Sequence, residues 1–401
     1  MRARSWVTAV VLALLAGCDP EAPPPAPPAA SPSVPPAPAP APEPEPPRQA
    51  SPDPLEDDLA AGPLDHPDGV PFPLPDPLPP EARPRTIADA PLPEPGPAPL
   101  AFWVGGTGTA DGRLQYPRAI VAEADGSALV CDKTGRIQRW DHDGRLRAAV
   151  RTPAIAQGKP TGLGVDAAGQ VLVADTHYCR VLVYGPDLAL RRVYGAPGRA
   201  PGQFMFVSAV REAPGGLHLT ADYGDDVARV QALRPDGAPV WATGTYGTGD
   251  GELRRPMSLA FAPAAGEVYV ADAVNHRIVV LALDDGRWLR TLGQPGRGPG
   301  ALDFPYDLAV DEDGRLWVAE FGNQRVQALD PRDGACLGLW GAPGRRPGAL
   351  GRPWGLALGR GDRLWVLDSH NDRLYALDRA RVLEGAPGGG QGRIPAPRRD
   401  G

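Results

Sequence analysis

The sequence predicts an all-β fold, a six-bladed β-propeller of four-stranded antiparallel blades, and three observations carry that prediction. One motif recurs six times from residue 101 onward, with its terminal acids 43, 47, 50, 48 and 48 residues apart. Each copy holds short apolar segments separated by turn residues, and no stretch keeps a sustained helical period. A strand-like segment upstream of the first copy supplies what the last copy lacks.

The elements of one repeat follow in order. A glycine-rich loop leads into a Pro-x-small step and an inner strand. A Gly turn follows, then a second strand ending in an acid, as in Val171-Leu172-Val173-Ala174-Asp175 and Leu316-Trp317-Val318-Ala319-Glu320. Five residues after the acid comes an arginine in four units, Arg180, Arg277, Arg325 and Arg373, and the third unit delays it to Arg229. Asp143-Gly144, Asp236-Gly237 and Asp313-Gly314 punctuate the strands at hairpin spacing. Units one to five end in an outer strand such as Leu289-Arg290-Thr291-Leu292-Gly293, whereas the sixth stops after Leu374-Tyr375-Ala376-Leu377-Asp378. The orphan Leu100-Ala101-Phe102-Trp103-Val104-Gly105 is therefore expected to complete the last blade, so that a strand near residues 99–105 closes the ring and removes its open edges.

Upstream of the repeats the chemistry changes. Residues 19–100 hold 31 of the 52 prolines and 14 acids against 3 bases, a composition that favours extended polyproline geometry and builds no core. Arg2 and Arg4 precede an apolar run from Trp6 to Ala16, the size of a signal-peptide core, which ends in Leu15-Ala16-Gly17-Cys18. That ending resembles the bacterial lipobox and implies lipidation of Cys18. The expected organisation is a lipoprotein signal peptide at 1–17, a disordered Pro-rich acidic linker at 18–98, a propeller at 99–380 and a disordered Gly/Pro-rich tail at 381–401. The resulting location is the bacterial cell envelope, extracytoplasmic and membrane-held through Cys18, in a leaflet the sequence leaves open. The head carries 36 bases and 34 acids, too little field to gather a polyanion, so no nucleic-acid partner is expected. Cys131, Cys179 and Cys336 then remain, an odd number in an oxidising compartment, and at least one should be a free thiol.

The fourth unit, Arg255-Pro256-Met257-Ser258-Leu259-Ala260 with Val268-Tyr269-Val270-Ala271-Asp272-Ala273-Val274-Asn275-His276-Arg277-Ile278, resembles the NHL-repeat family of six-bladed propellers. Asn323-Gln324-Arg325 and Asn371-Asp372-Arg373 keep the same step, and the likeness spans nearly all of the repeat region. The resemblance implies a fold more firmly than a function, because its members include protein-binding, RNA-binding, sensor and lyase proteins.

Candidate site residues come from positions where the units differ. The six terminal acids, each followed by an arginine, read as a loop-capping and blade-pairing ladder rather than a carboxylate ring. The glycine-rich stretches precede strands, not helices, and read as inter-blade loops rather than phosphate cradles. After the proline step the units carry Arg118, Thr161, Ser208, Met257, Tyr306 and Trp354, and Asp307 stands where a small residue is expected. Two residues after the acid, His177 and His370 replace glycine or a small residue. Arg118, His177, Tyr306, Asp307, Trp354 and His370 thus form the expected ligand-binding set on one loop face, with no catalytic residue and no metal ligand assigned. The leading expectation is a non-catalytic binding or scaffold module for a protein, peptide or small ligand. The alternative is a metal-dependent extracytoplasmic lyase or hydrolase with a divalent cation in the central channel, resembling peptidylamidoglycolate lyase. A third is a polysaccharide-binding module that stacks sugars on Tyr306 and Trp354. Exchanging Trp354 and Arg118 for alanine is expected to leave the melting point nearly unchanged but to weaken ligand capture.

Overall fold

The computed structural model describes residues 68–88, 92–224 and 226–384. The signal peptide, Cys18, the linker as far as residue 67 and the tail from residue 385 lie outside the described residues. Six antiparallel sheets stand around a central axis, and their inner strands meet in a closed cycle. Blade 1 runs Pro117–Ala122, Ala128–Asp132, Arg136–Trp140 and Leu146–Arg151, and blades 2 to 5 repeat that order. Blade 6 takes three strands from its own repeat, Leu356–Leu358, Arg363–Asp368 and Arg373–Asp378, and its fourth from Leu100–Gly105. The register is antiparallel from Arg373 opposite Gly105 to Leu377 opposite Leu100, as the orphan segment predicts.

The core is divided among the blade interfaces, with one buried apolar cluster between each neighbouring pair of sheets. Second and third strands are buried on both faces, which explains their unbroken Val, Leu, Ala and Trp composition. The glycine-rich loops each hang on one deeply buried residue, Leu114, Phe204, Leu253, Leu302 or Leu350, set in a short parallel bridge. Gly195 shows why such loops need glycine: at φ 93° a Cβ there would lie 2.5 Å from the Phe204 ring.

Two expectations at the ends of the propeller need correction. The acidic linker was expected to stay disordered through residue 98, yet 68–88 and 92–98 lie against the propeller. Phe72 packs edge-on against Tyr178 with ring centroids 5.2 Å apart, Arg85–Thr86 pairs with the outer strand of blade 1, and Glu94–Pro95 pairs with Leu100–Gly105. The physical reason is that an outer strand leaves unpaired N–H and C=O groups, and even a proline-rich chain can satisfy them at an edge. The tail was expected to begin at 381, but a helix spans Arg379–Glu384. Its Val382 is buried in the blade 5–6 cluster, and Arg379 donates to Glu312 at 2.6 Å.

Candidate functional site

The predicted latch is present in all six blades. The second strands end in Asp132, Asp175, Asp222, Asp272, Glu320 and Asp368, all fully buried, and each faces an arginine of the third strand. Distances run from 2.5 Å for Glu320 with Arg325 to 3.9 Å for Asp368 with Arg373. Blade 1 uses Arg136, one position earlier than the five-residue rule, at 2.6 Å from Asp132. The acids also accept N–H groups of the loop entering the inner strand, as Asp222 does from Met205 and Phe206 at 2.9 Å. The arginines donate to carbonyls of the glycine-rich loop, as Arg325 does to Gly298 and Ala301. Outside blade 2, where Arg180 donates instead to the Phe72 carbonyl, the acid or its arginine thus clamps one blade to the loop arriving from its neighbour. Burial pushes Asp175, Asp222 and Asp368 up to about 6 despite the arginines, and raises Asp272 and Glu320 as well. These acids are structural, as their repetition implies. The glycine-rich stretches are inter-blade loops, also as expected.

On the loop face the chain makes an unusual turn before the proline step in blades 1, 4, 5 and 6. Tyr116, Arg255, Phe304 and Arg352 all have φ between 46° and 61°, a left-handed conformation that costs a large residue energy and is rare before proline. The inner strands of blades 1, 3, 4 and 5 each carry a β-bulge: the ladder skips between Pro117 and Ala119, Val207 and Ala209, Pro256 and Leu259, and Pro305 and Asp307. Bulges re-aim side chains, and these turn Arg118, Ser208, Met257 and Tyr306 toward the axis.

Arg118, Tyr306, Asp307 and Trp354 accordingly line one channel cavity, together with Arg211 and Ser258. Its volume is about 20 Å³, room for a single water. Asp307 Oδ1 accepts from the Ser258 hydroxyl at 2.5 Å and the Leu308 N–H at 3.0 Å, and Oδ2 accepts from the Leu356 N–H at 3.0 Å. Arg211 stands 3.4 Å from the same carboxylate, and burial still raises the Asp307 pKa. Asp307 occupies a small-residue position because its neighbours around the ring are Ser258 and Gly355. A Cβ at Gly355 would come 3.2 Å from Oδ2.

Two of the lining residues belong to a packed aromatic plug with Phe206, Tyr223 and Phe321. Tyr306 stacks on Phe321 at 4.5 Å and meets Trp354 edge-on at 5.1 Å, leaving the two predicted platforms only 2 % and 3 % exposed. Their faces are spent on one another, not offered to a sugar. Arg118 lies 5.0 Å above Trp354, Arg255 4.9 Å above Tyr223 and Arg352 5.5 Å above Phe321. The expectation that Trp354→Ala leaves stability unchanged is corrected by this packing, since removing a buried ring costs about 3–5 kcal/mol. His177 is not in the cavity lining. It is buried against Phe206, with Nδ1 accepting the Lys159 N–H at 3.2 Å. His370 is exposed on the turn after Asp368 and is likewise outside the lining. Four of the six predicted residues converge and the two histidines do not.

Sequence reasoning missed the residues before the proline, because proline normally forbids the conformation they adopt. It also missed Arg211 and Ser258, which nothing but the ring brings to Asp307. Phe321 was legible, with Tyr223, as one of the two aromatics directly following a terminal acid in the repeats. The three described cysteines are free thiols; Cys131 and Cys179 are buried, and burial raises both pKa values.

The chain is a six-bladed β-propeller. The model of the SMP-30/gluconolactonase/LRE-like region matches residues 248–350, from the loop entering blade 4 to the loop before blade 6. No curated protein matches the chain. Among solved structures, a Xanthomonas campestris gluconolactonase is 18 % identical, covers 73 % of this chain and 100 % of its own, and superposes with a TM-score of 0.53. A Bacteroides thetaiotaomicron protein of unknown function is 17 % identical over 68 % of this chain and 72 % of its own, with a TM-score of 0.51. A streptogramin B lyase is 11 % identical over 68 % and 96 %, at 0.48. The superpositions on the first two show a shared fold.

The donor chemistry of the channel does not suit a divalent cation. Its lining offers one carboxylate, already satisfied by three donors, alongside the guanidiniums of Arg118 and Arg211. A cation site wants several converging anionic or neutral donors and no adjacent positive charge.

Proposed function

We propose that this chain is an extracytoplasmic, lipid-anchored, NHL-type propeller that acts as a non-catalytic recognition module, binding a protein, peptide or small ligand on its loop face. The observation that carries this reading is the plugged channel. A cavity with room for one water admits no substrate, so recognition falls on the surface above the plug. That surface mixes half-buried Tyr116 and Phe304 with the exposed Arg352, a set suited to a partner presenting carboxylates beside apolar groups. The lipobox-like Cys18 and the Pro-rich segment behind it support a head held outside the cytoplasm on a membrane anchor.

Arg352→Ala combined with Tyr116→Ala tests the face, because Arg352 is exposed and Tyr116 half-buried. Capture of envelope components by the tagged double variant should fall at least tenfold, with the melting point within a few degrees of the parent. Undiminished capture removes the loop face from consideration. A second reading, hydrolysis of a lactone, is favoured by the family match over residues 248–350. Turnover of glucono-lactone that survives Arg352→Ala but is lost in Asp307→Asn would replace the binding reading with it.

A further inference from the structure

The face opposite the latches carries a second cluster of polar side chains. Asp166 follows the inner strand Gly162–Val165 of blade 2, Glu212 ends the inner strand Phe206–Glu212 of blade 3, and His218 begins that blade's second strand directly opposite Glu212. One carboxylate oxygen of each acid and one ring nitrogen of His218 lie within 4.8 Å of one another. Among the described residues this is the one group of three or more such side chains close enough to share an ion. Ligands held at roughly 2.0–2.2 Å from a common ion stand about 3–4.4 Å apart, which matches this spacing.

The histidine gives the independent sign of a ligand. His218 is 1 % exposed, and its Nδ1 lies 2.7 Å from the Tyr194 hydroxyl, the single hydrogen bond to the ring among the described residues. No hydrogen bond to Nε2 is made among the described residues. A hydroxyl fixing one imidazole nitrogen so that the other faces an ion is how metal-binding histidines are oriented.

The carboxylates have capacity to spare. Asp166 Oδ1 caps its own turn by accepting from Ala168 and Gln170, and its Oδ2 accepts one bond, from Gln170 Nε2 at 2.7 Å. Glu212 Oε2 accepts the Ala167 N–H at 2.6 Å, and Oε1 accepts nothing among the described residues. Two carboxylates against the single guanidinium of Arg192 leave a local negative charge that a dication reverses. Asp166 and Glu212 are half-buried, so an ion can enter from solvent.

We propose that Asp166, Glu212 and His218 bind one divalent transition-metal ion of the zinc type, clamping blade 2 to blade 3 on the face away from the recognition surface. One imidazole with two carboxylates suits Zn²⁺ or Mn²⁺ better than Ca²⁺, which favours an all-oxygen shell. Three protein ligands leave a fourth position for water.

The test is titration of the metal-stripped full chain with Zn²⁺ by calorimetry, alongside the melting point with and without the ion. The parent should bind one Zn²⁺ with a raised melting point. Glu212→Gln and Asp166→Asn should each weaken binding at least tenfold and lose the thermal shift, while His370→Asn and Asp307→Asn should bind as the parent does. Co²⁺ bound in place of Zn²⁺ should give an absorption band that His218→Gln abolishes. If His218→Gln does not fold, the two carboxylate variants decide the matter alone. The proposal is overturned if the parent binds no Zn²⁺, or if both carboxylate variants bind it with parental affinity.

Discussion

Ring closure is the property on which the rest of the molecule depends, and its energetic weight can be worked from the last blade. Strand Leu100–Gly105 contributes Leu100 to the buried cluster between blades 5 and 6 and Val104 to that between blades 6 and 1. Leu100→Ala removes three carbons from a fully packed site, which costs about 2–5 kcal/mol. Val104→Ala removes two, and at about 0.8 kcal/mol per carbon with a cavity left behind it costs about 2 kcal/mol more. The clusters are different, so the losses should add to roughly 4–7 kcal/mol. A domain of ordinary stability holds about 5–15 kcal/mol, so the double variant should be barely folded. Urea unfolding followed by tryptophan fluorescence measures this directly. We expect the midpoint to drop by more than about 1 M. A midpoint within about 0.3 M of the parent, with the slope unchanged, would refute the closure argument, because it would mean that the strand carries no share of the cooperative unit.

The latches and the buried carboxylates give two further expectations. Arg325→Ala strips the partner from buried Glu320 and unpins the loop carbonyls of Gly298 and Ala301, so it should cost about 3–5 kcal/mol by chemical denaturation; a loss below 1 kcal/mol would contradict the clamp. Asp175, Asp222 and Asp368 are raised from 3.8 to about 6, so between these values the folded state holds protons that the unfolded state has released. Stability should therefore rise as pH falls from 7 to 5, by roughly 1 kcal/mol per carboxylate, partly opposed by His218, whose lowered pKa makes its protonation costly in the folded state. Urea midpoints at the two pH values check the sign, and a clear fall toward pH 5 would be the contrary result.

The repeat spacing, the terminal acids with their arginines and the orphan strand were legible because each depends on local pattern: short apolar runs, turn residues and an acid at a fixed place in every unit. Arg136 escaped the rule by one residue, yet the ladder was still readable from the other five blades. The contents of the channel were half legible. Arg118, Tyr306, Asp307 and Trp354 could be picked out because they vary where the repeat is otherwise small or fixed. That they fill the channel rather than line an open mouth depends on side-chain volumes meeting across the axis from different blades.

The sequence by itself determined the number of blades, the order of strands in each and the segment that seals the ring, since hydrogen-bonded pairing and hydrophobic periodicity are properties of short stretches. Only the tertiary structure decided what the ring brings together: Asp307 with Ser258, Arg211 and Leu356; Tyr306 with Phe321 and Trp354; Asp166 with Glu212 and His218. It also decided that Arg85–Thr86 lies along the outer edge of blade 1, because the strand that holds it is about 60 positions away in the chain. The contacts of Asp307 with Ser258, Arg211 and Leu356, of Tyr306 with Trp354 and of Asp166 with Glu212 join residues about 50 to 100 positions apart, and closure of the ring, not local preference, sets their distances.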